Sequence, residues 1–496
     1  MDAHLREMVK SINPEQYEAV TTAHKGSVLV LAGAGCGKTA VLTRRIAYLA
    51  GSGINADQIV ALTFSRKAAL EMAQRLSDLM SHTSDLPLVT TFHGFALRIL
   101  TTAHGGRSNF SRIGFEGKLQ LLSSAQRYKL LSIVSNAGQR KYLKLNLTDL
   151  EKIITKMEVF PQRVRRLVGD KEWDLIWSIA SKFSEIKKKR GLWDYSDLIN
   201  GVLQLFRRFP SIAAHYGGAF RSVLVDEFQD TSPVQVELLE FLLGESTSLF
   251  AVGDDDQAIY GFRGADIRPI CEFEKRFEDS IVIKLETNYR SIPAILNCAN
   301  KLWVNKPATY RKILRSGKTT HPLGCSRPAV IKFKDQKAAS EWIVKKINEI
   351  EEKYKIPPTS MAVLFRVNST LSFTQRVMKT MQPDTKRLPL FVTVHGSKGL
   401  EYPVVFLCDL EEGFFPHYRI EKRRKIGTWS DFFNQIMKSQ QKQRSVADDI
   451  LDEELRLFYV GLTRAQRFLF LLSCGRKEYF QRQIQLQPSR FLKYLK

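Results

Sequence analysis

The chain has 496 residues, 44% of them hydrophobic, which is room for roughly three domains with sizeable cores. Lysine and arginine exceed aspartate and glutamate by 75 to 51, and the resulting net charge of +24 favours a polyanionic partner, a nucleic acid or an anionic membrane surface. No apolar run reaches the roughly twenty residues of a membrane span, and no signal-peptide pattern follows Met1. The six cysteines (Cys36, Cys271, Cys298, Cys325, Cys408, Cys474) are scattered without a CxxC pair, so a reducing compartment and no structural zinc are expected.

Near the N-terminus, Asn13 can cap a helix whose first turn takes Pro14. Gln16 then sits on that helix just ahead of the first strand, where its amide, donor and acceptor together, can read the edge of adenine. Val28 to Leu31 form an apolar run of the kind found in buried parallel strands. Ala32 to Thr39 follow as A-G-A-G-C-G-K-T, a phosphate loop with Ala32 where the usual signature opens with glycine. Gly33, Gly35 and Gly37 let the backbone through Ala34 and Cys36 turn its N–H groups toward a phosphate. Lys38 can reach the β- and γ-phosphates of ATP, and Thr39 can ligate Mg²⁺. The helix over Ala40 to Ala50 points its N-terminus at the same anion.

Ile59 to Thr63 and Leu88 to Thr91 are the next strands, ending in Phe64 and in Phe92-His93. Ligands bind at such strand ends, so both phenylalanines are candidates for stacking on a base, with a core position for Phe92 equally compatible. Residues 101 to 190 lose strand signals and become helical and basic, as in Gln139 to Lys144 and Lys187 to Arg190. This reads as a helical insertion whose charge is either a solvated surface or, more in keeping with its few acids, a phosphate-backbone surface.

Val223 to Val225 end in Asp226-Glu227-Phe228-Gln229-Asp230. Two carboxylates at the tip of an apolar strand are costly unless they act. Asp226 can hold Mg²⁺, directly or through water, and Glu227 can polarise an attacking water. Leu249 to Val252 lead to Gly253-Asp254-Asp255-Asp256-Gln257, whose glutamine amide can contact a γ-phosphate. Tyr260, Phe262 and Arg263 follow within a few residues, an aromatic and basic cluster suited to bases and phosphates. A second α/β unit opens with a strand over Ile281 to Leu285. Further strands are expected over Ala329–Phe333, Met361–Phe365, Phe391–Val394, Val404–Cys408 and Phe468–Leu472, with helices over Trp342–Glu351 and Asp452–Gly461. Thr370 to Leu390 shows no clear pattern, Arg419 to Ser445 is polar and highly charged, and Tyr479-Phe480 fall in a hairpin loop.

Taken together, LAGAGCGKT, ALTFSRKAALEM, TFHGFALRIL, VDEFQDTSPVQ, VGDDDQAIYGFRGA, ETNYRS, VHGSKGLEYPVVF, EEGFFPH and EELRLFYVGLTRA resemble, in order, the motifs of the UvrD/Rep/PcrA family of superfamily 1A DNA helicases. The resemblance runs from Asn13 to Phe491. It implies an α/β fold of two RecA-like parallel-sheet domains around an ATP cleft, with a helical 1B insertion in the first. The expected division is 1–100 for domain 1A, 101–190 for 1B, 191–280 for the rest of 1A and 281–496 for domain 2A. Between Asn368 and Phe391 the family inserts a large helical domain, 2B; only about twenty residues stand there, too few for a domain, so no 2B is expected.

By position, the resemblance assigns Gln16 to adenine, Lys38 and Thr39 to the phosphate loop, Asp226 and Glu227 to magnesium and catalysis, and Gln257 to the γ-phosphate. It makes Tyr289 the ring that stacks on adenine, Arg290 and Arg464 the two arginines that the second domain presents to the γ-phosphate, and Glu401 the ribose ligand. Phe64, Phe92, His93, Tyr260, Phe262 and Arg263 match positions along the single-strand path, and Tyr479 or Phe480 the strand-separating hairpin. Ala40 and Leu455 stand where the family commonly has arginine, while Arg456 keeps the second arginine of its run. The implied activity is ATP- and Mg²⁺-dependent 3′–5′ translocation on single-stranded DNA with unwinding of 3′-tailed duplexes, aided by self-association or an accessory protein. Two alternatives stay open: a single-strand translocase that strips bound proteins and unwinds little, and a nucleotide-regulated binding module of a larger complex. No membrane association is expected, and the setting would be the cytoplasm or nucleoid of a bacterium, or another DNA-containing compartment.

Overall fold

The computed structural model describes residues 9–23, 26–80, 85–104, 106–115, 119–159, 164–165, 170–261, 265, 267–304, 306, 310–318, 327–381, 388–417, 446–479 and 482–495. Two parallel sheets surrounded by helices make up the fold. The first has six strands: β1 (Ser27–Ala32), β2 (Ile59–Thr63), β3 (Leu88–Thr91), β4 (Ser222–Val225), β5 (Ser248–Gly253) and β6 (Ser280–Leu285). Their spatial order is β6-β1-β5-β4-β2-β3, every pair parallel. Helices cover both faces, which is why β1 and β2 are apolar and buried along their whole length rather than alternating.

Helix α1 (Pro14–Thr21) precedes β1, α2 (Lys38–Gly51) and α3 (Arg66–Leu79) connect β1 to β2 and β2 to β3, and α4 (Phe92–Thr101) follows β3. Their starts are chemically marked. The Asn13 side chain accepts the Gln16 N–H at 2.8 Å, Ser65 caps α3 through Ala68 N–H, and Thr91 caps α4 through Gly94 N–H. Then come α5 (Ser124–Val134), α6 (Leu147–Val159) and α7 (Asp170–Lys189), which enclose a core of their own around Leu131, Leu150, Ile153, Ile176 and Phe183. Ile113 and Phe115 pack instead in the core of the first sheet. The separately cored insertion therefore begins near Leu122, well inside the boundary expected at 101. Helices α8 (Tyr195–Arg208) and α9 (Pro233–Leu242) complete the first unit.

The second sheet holds β7 (Ala329–Asp335), β8 (Met361–Phe365), β9 (Leu390–Thr393), β10 (Tyr402–Leu407) and β11 (Ala465–Tyr479), with β12 (Arg482–Gln485) returning along β11. The order is β7-β11-β10-β8-β9, all parallel, and β12 is antiparallel to β11. Its helices are α10 (Pro293–Lys301), α11 (Gln336–Tyr354), α12 (Asn368–Met381) and α13 (Val446–Leu462). One apolar core runs from Val30 and Ile46 of the first unit through Ile295 and Tyr459 to Leu407 and Leu469 of the second.

Three sequence expectations change. The strand beginning at Ile281 does not open the second unit: as β6 it lies against β1, Val28 facing Ile281 and Ala32 facing Leu285, so the first sheet extends past residue 280. An apolar run announces a strand but not its neighbour. Residues 368–381, where no pattern was visible, form α12 with Thr370, Thr374 and Met378 buried. The stripe has helical spacing but is built of threonines, whose backbone oxygen and hydroxyl receive the Gln336 amide. The last strand reaches Tyr479 instead of stopping at Leu472, because β12 pairs with its far end.

Candidate active site and nucleic-acid path

The phosphate loop leaves β1 and enters α2. Gly35 (φ 69°) and Gly37 (φ 86°) take the left-handed backbone that a side chain would strain, and Gly37 is the N-cap of α2. Lys38 Nζ lies 3.5 Å from the Ala32 carbonyl and 3.9 Å from Asp254 Oδ2, so its ammonium stands over the loop. Cys36 is buried, and burial pushes its thiol up, which leaves it inert beside the loop. Gln16 donates through Nε2 to the Cys36 carbonyl at 2.9 Å. The loop is also stitched to the chain after β6. Gly33 N–H donates to the Leu285 carbonyl, Tyr289 N–H to the Gly35 carbonyl and the Asn288 amide to the Ala34 carbonyl. Tyr289, 40% exposed, meets the Asn13 amide through its hydroxyl at 2.9 Å, so its ring borders Gln16 at the mouth of the cleft.

Asp226 and Glu227 stand at the end of β4. Burial and the adjacent Glu227 push the Asp226 carboxyl up to about 7, and among the described residues its one hydrogen bond is from Glu227 N–H, at 3.0 Å. A buried carboxylate disfavoured in this way is one that a divalent cation would discharge, and Thr39 supplies a hydroxyl at the start of α2. Glu227 adopts φ 51°, outside the usual range for its type, at the turn into Phe228. Burial opposes its charge, but Lys398, Lys38 and the Gln229 amide outweigh burial and hold its carboxyl below the ordinary value. It is therefore ionised and able to accept a proton.

The loop after β5 faces this pair. Gln257 donates through Nε2 to Asp254 Oδ2 at 2.5 Å and accepts at Oε1 from Arg464 Nη2 at 3.0 Å. Arg464 comes from the second unit; it is 1% exposed and also donates to the Val460 and Leu400 carbonyls. Burial and neighbouring Arg290 push its guanidinium down to about 9. Arg290 Nε pairs with Glu401 Oε2 at 2.5 Å, and Gln466 donates to Glu401 Oε1 at 3.0 Å. The six residues expected to do chemistry, Lys38, Asp226, Glu227, Gln257, Arg290 and Arg464, thus converge between the two sheets.

Of the nucleic-acid candidates, Phe64 and Tyr260 stack on each other with ring centroids 5.3 Å apart and planes 7° apart. Lys398 Nζ covers the Tyr260 ring 4.8 Å from its centroid. His93 packs edge-on against exposed Tyr195, and burial lowers its pKa, so at neutral pH it offers a hydrogen bond rather than a charge. Phe92 is a correction. It is 2% exposed and packed in the core of the first sheet, so its ring is not available to a base. Phe262, Arg263 and Phe480 lie outside the described residues, as does the side chain of Tyr479.

Comparison with known proteins accounts for this arrangement. Residues 12–278 match the UvrD/REP helicase N-terminal domain, and residues 283–392 and 372–476 match the UvrD-like helicase C-terminal domain. The chain belongs to the UvrD/REP helicase family. It is similar to a probable DNA helicase of Mycoplasma pneumoniae, 31% identical over 498 residues, covering 98% of this chain and 87% of that protein. It is also similar to ATP-dependent DNA helicase UvrD1 of Mycobacterium bovis (33% identical over 388 residues, 75% of this chain and 49% of that protein). The same holds for ATP-dependent DNA helicase PcrA of Staphylococcus epidermidis (32% over 367 residues, 73% and 49%). The chain thus spans about half the length of the UvrD1 and PcrA relatives it matches. Family membership implies dependence on ATP and Mg²⁺ and supports ATP-driven DNA helicase or translocase activity. Among the described residues no helix is long and apolar enough to cross a membrane.

Several residues of this helicase's cleft escaped the sequence reading. Lys398 pairs with Asp230 and donates to the Gln257 carbonyl at 3.0 Å, so the second unit holds the loops after β4 and β5 of the first. Burial drives the Asp230 carboxyl up to about 6 against that pairing. Arg456 donates to the Ala258 carbonyl at 2.9 Å. Lys306 and Lys312 lie against Asp254, Asp255 and Asp256. Lys306 and Lys312 are lone cations in sequence whose partners are far along the chain; Lys398 and Arg456 fall in the HGSKGLE and EELRLFYVGLTRA runs, which mark them without naming their partners.

Proposed function

We propose that the chain is a DNA-dependent ATPase that turns hydrolysis into 3′–5′ movement on single-stranded DNA and opens 3′-tailed duplexes. One observation carries the reading. Tyr260, three residues beyond Gln257, meets both the ring of Phe64 and the ammonium of Lys398, while Gln257 itself holds Arg464. A base wedged against Phe64 or Tyr260 would shift the same short segment that carries the phosphate contact.

In this reading the N–H groups of Ala34, Gly35 and Gly37 cradle the phosphates, with Gly33 and Cys36 shaping the loop through their own backbone hydrogen bonds, and Lys38 neutralises the phosphates. Thr39 and Asp226 would hold Mg²⁺, which when bound neutralises charge on the transferring phosphoryl group. Glu227 orients and deprotonates the attacking water. Arg464 comes to the γ-phosphate from the second unit as the two sheets close, which ties hydrolysis to domain motion, and Arg290, its segment already held at the phosphate loop through Asn288 and Tyr289, joins it once Glu401 releases it. Gln16 and Tyr289 border the adenine site, and Glu401, released from Arg290, takes the ribose. Strand displacement on 3′- and 5′-tailed duplexes, run beside a single-strand translocation assay, tests the proposal. Opening of the 3′-tailed substrate alone is expected, and opening of the 5′-tailed one alone would reverse the direction.

A second reading, a translocase with little unwinding, has its own support. Between β8 and β9 the described residues hold the single helix α12 and leave no room for a further domain over the duplex. Self-association or an accessory protein would then supply the missing grip, in a DNA-containing compartment.

A further inference from the structure

Asp254, Asp255 and Asp256 bring three carboxylates within 4.8 Å of one another in the buried interior. Such a cluster suggests a cation, and the cation is part of the chain. Lys312 is 1% exposed; its Nζ lies 3.1 Å from Asp254 Oδ1 and 3.0 Å from Asp256 Oδ2 and also pairs with Asp255. Lys306 flanks the cluster, pairing with Asp255 and, at 2.6 Å, with Asp256. Three carboxylates thus face Lys312 and Lys306, with Lys38 3.9 Å from Asp254 Oδ2, and among the described residues Lys312 is the one ammonium that pairs with all three.

We propose that Lys312 is a positioning residue for ATP hydrolysis: through Asp254 it fixes which way the Gln257 side chain points. A glutamine amide has a donor end and an acceptor end. Asp254 takes the Gln257 NH₂ on Oδ2 at 2.5 Å, which leaves Oε1 facing Arg464. Lys312 Nζ lies 3.1 Å from Asp254 Oδ1 and so holds the carboxylate with Oδ2 facing Gln257. Without that ammonium the Asp254 carboxylate loses its hold at Oδ1 and can turn, and the Gln257 amide shifts with it out of line with Arg464.

The backbone that carries Lys312 supports the role. Leu314 packs into the space left by Gly33, where a Cβ would come within 2.3 Å of Leu314 Cδ2. Arg315 N–H donates to the Glu286 carbonyl at 2.9 Å, Gly317 N–H to the Asn288 carbonyl at 2.8 Å, and Lys318 Nζ to the Arg290 carbonyl at 3.0 Å. Residues 312–318 therefore touch the phosphate loop, the Arg290 segment and the Gln257 loop at once, so the lysine is set in the frame of the phosphate site.

This inference rests on the reading of Gln257 as a γ-phosphate contact. A double-mutant cycle on DNA-stimulated ATP turnover tests it, using Lys312→Met, Gln257→Ala and the pair, with affinity for a fluorescent ATP analogue measured beside it. Lys312→Met is expected to lower kcat by about tenfold or more while affinity changes by less than about threefold. In the Gln257→Ala background it is expected to cause no further loss. Lys306→Met, which leaves Asp254 paired, is expected to have a much smaller effect on kcat. Should Lys312→Met fold poorly, Lys312→Met with Asp255→Asn restores the local charge balance and enters the same cycle against Asp255→Asn alone. Losses that multiply in the double variant, or a kcat unchanged by Lys312→Met, overturn the role of Lys312 and leave the ATPase reading intact. A parent enzyme that hydrolyses no ATP, with or without DNA, overturns that reading and this inference with it.

Discussion

Both sheets end a central strand in carboxylates, and the two ends are finished differently. At the end of β4, Asp226 and Glu227 face the cleft with one backbone N–H and one glutamine amide as partners. Beyond β10, Asp409 and Glu411 are sealed. Lys477 of β11 lies 2.6 Å from each, Asp409 also accepts from Thr370 Oγ1 and Arg366 N–H, and Glu411 accepts from Cys474 N–H. Asp409 and Glu411 hold Lys477 protonated despite burial, with its pKa well above the ordinary lysine value. In the first unit the ammonium groups nearest the carboxylates, Lys38 and Lys398, come from the phosphate loop and from the other sheet. Carboxylates left without a cation of their own are available for chemistry, and carboxylates given a buried lysine are structure.

Exchanging the two ends' chemistry should separate them sharply. Glu227→Gln keeps the size of the side chain and removes its basicity. Turnover is expected to fall by about 10²- to 10⁴-fold while nucleotide binding persists, and near-normal turnover would take the base role from Glu227. Lys477→Met leaves Asp409 and Glu411 buried and unpaired, so unfolding free energy is expected to drop by about 3–5 kcal/mol. A denaturant midpoint equal to the parent's would show that the β10 end is not sealed by charge.

The pH dependence should differ as well. Asp226 is raised from 3.8 in the unfolded chain to about 7 in the folded one. The folded state therefore binds more protons between those values, and the stability this group contributes below pH 4 is lost as pH rises through about 7. The melting temperature of the parent is expected to fall relative to that of Asp226→Asn over this window. Parallel curves would mean that the β4 end carries no such penalty.

What could be read from the sequence follows from range. The phosphate loop, the apolar strand before it and the acidic pair at Asp226 are local patterns, where spacing along the chain is also spacing in space. Both units were legible on that basis, whereas Tyr289, Arg290, Glu401 and Arg464 were marked only by the resemblance to the family's motifs. The buried lysines were not. Lys312, Lys398 and Lys477 find their carboxylates on other elements, and apart from the motif around Lys398 nothing near them in sequence distinguishes them from surface cations. The pairing of β6 with β1 and the threonine stripe of α12 were hidden for related reasons. One depends on a partner strand and the other on a helical face that looks polar. Phe92 marks a further boundary: a ring at a strand end looks the same whether it faces a base or the core, and here Phe95 and its neighbours enclose it.

The central claim is that the strand end at Asp226 and Glu227 is driven by what binds at Tyr260. Steady-state ATP turnover of the parent and of Tyr260→Ala, each with and without a single-stranded oligonucleotide, tests it most directly. The parent is expected to be strongly stimulated, whereas Tyr260→Ala should keep the turnover seen without DNA and lose most of the stimulation, since one base–ring stack is worth about 1–3 kcal/mol. Equal parent turnover with and without DNA, or full stimulation of the variant, would contradict the account.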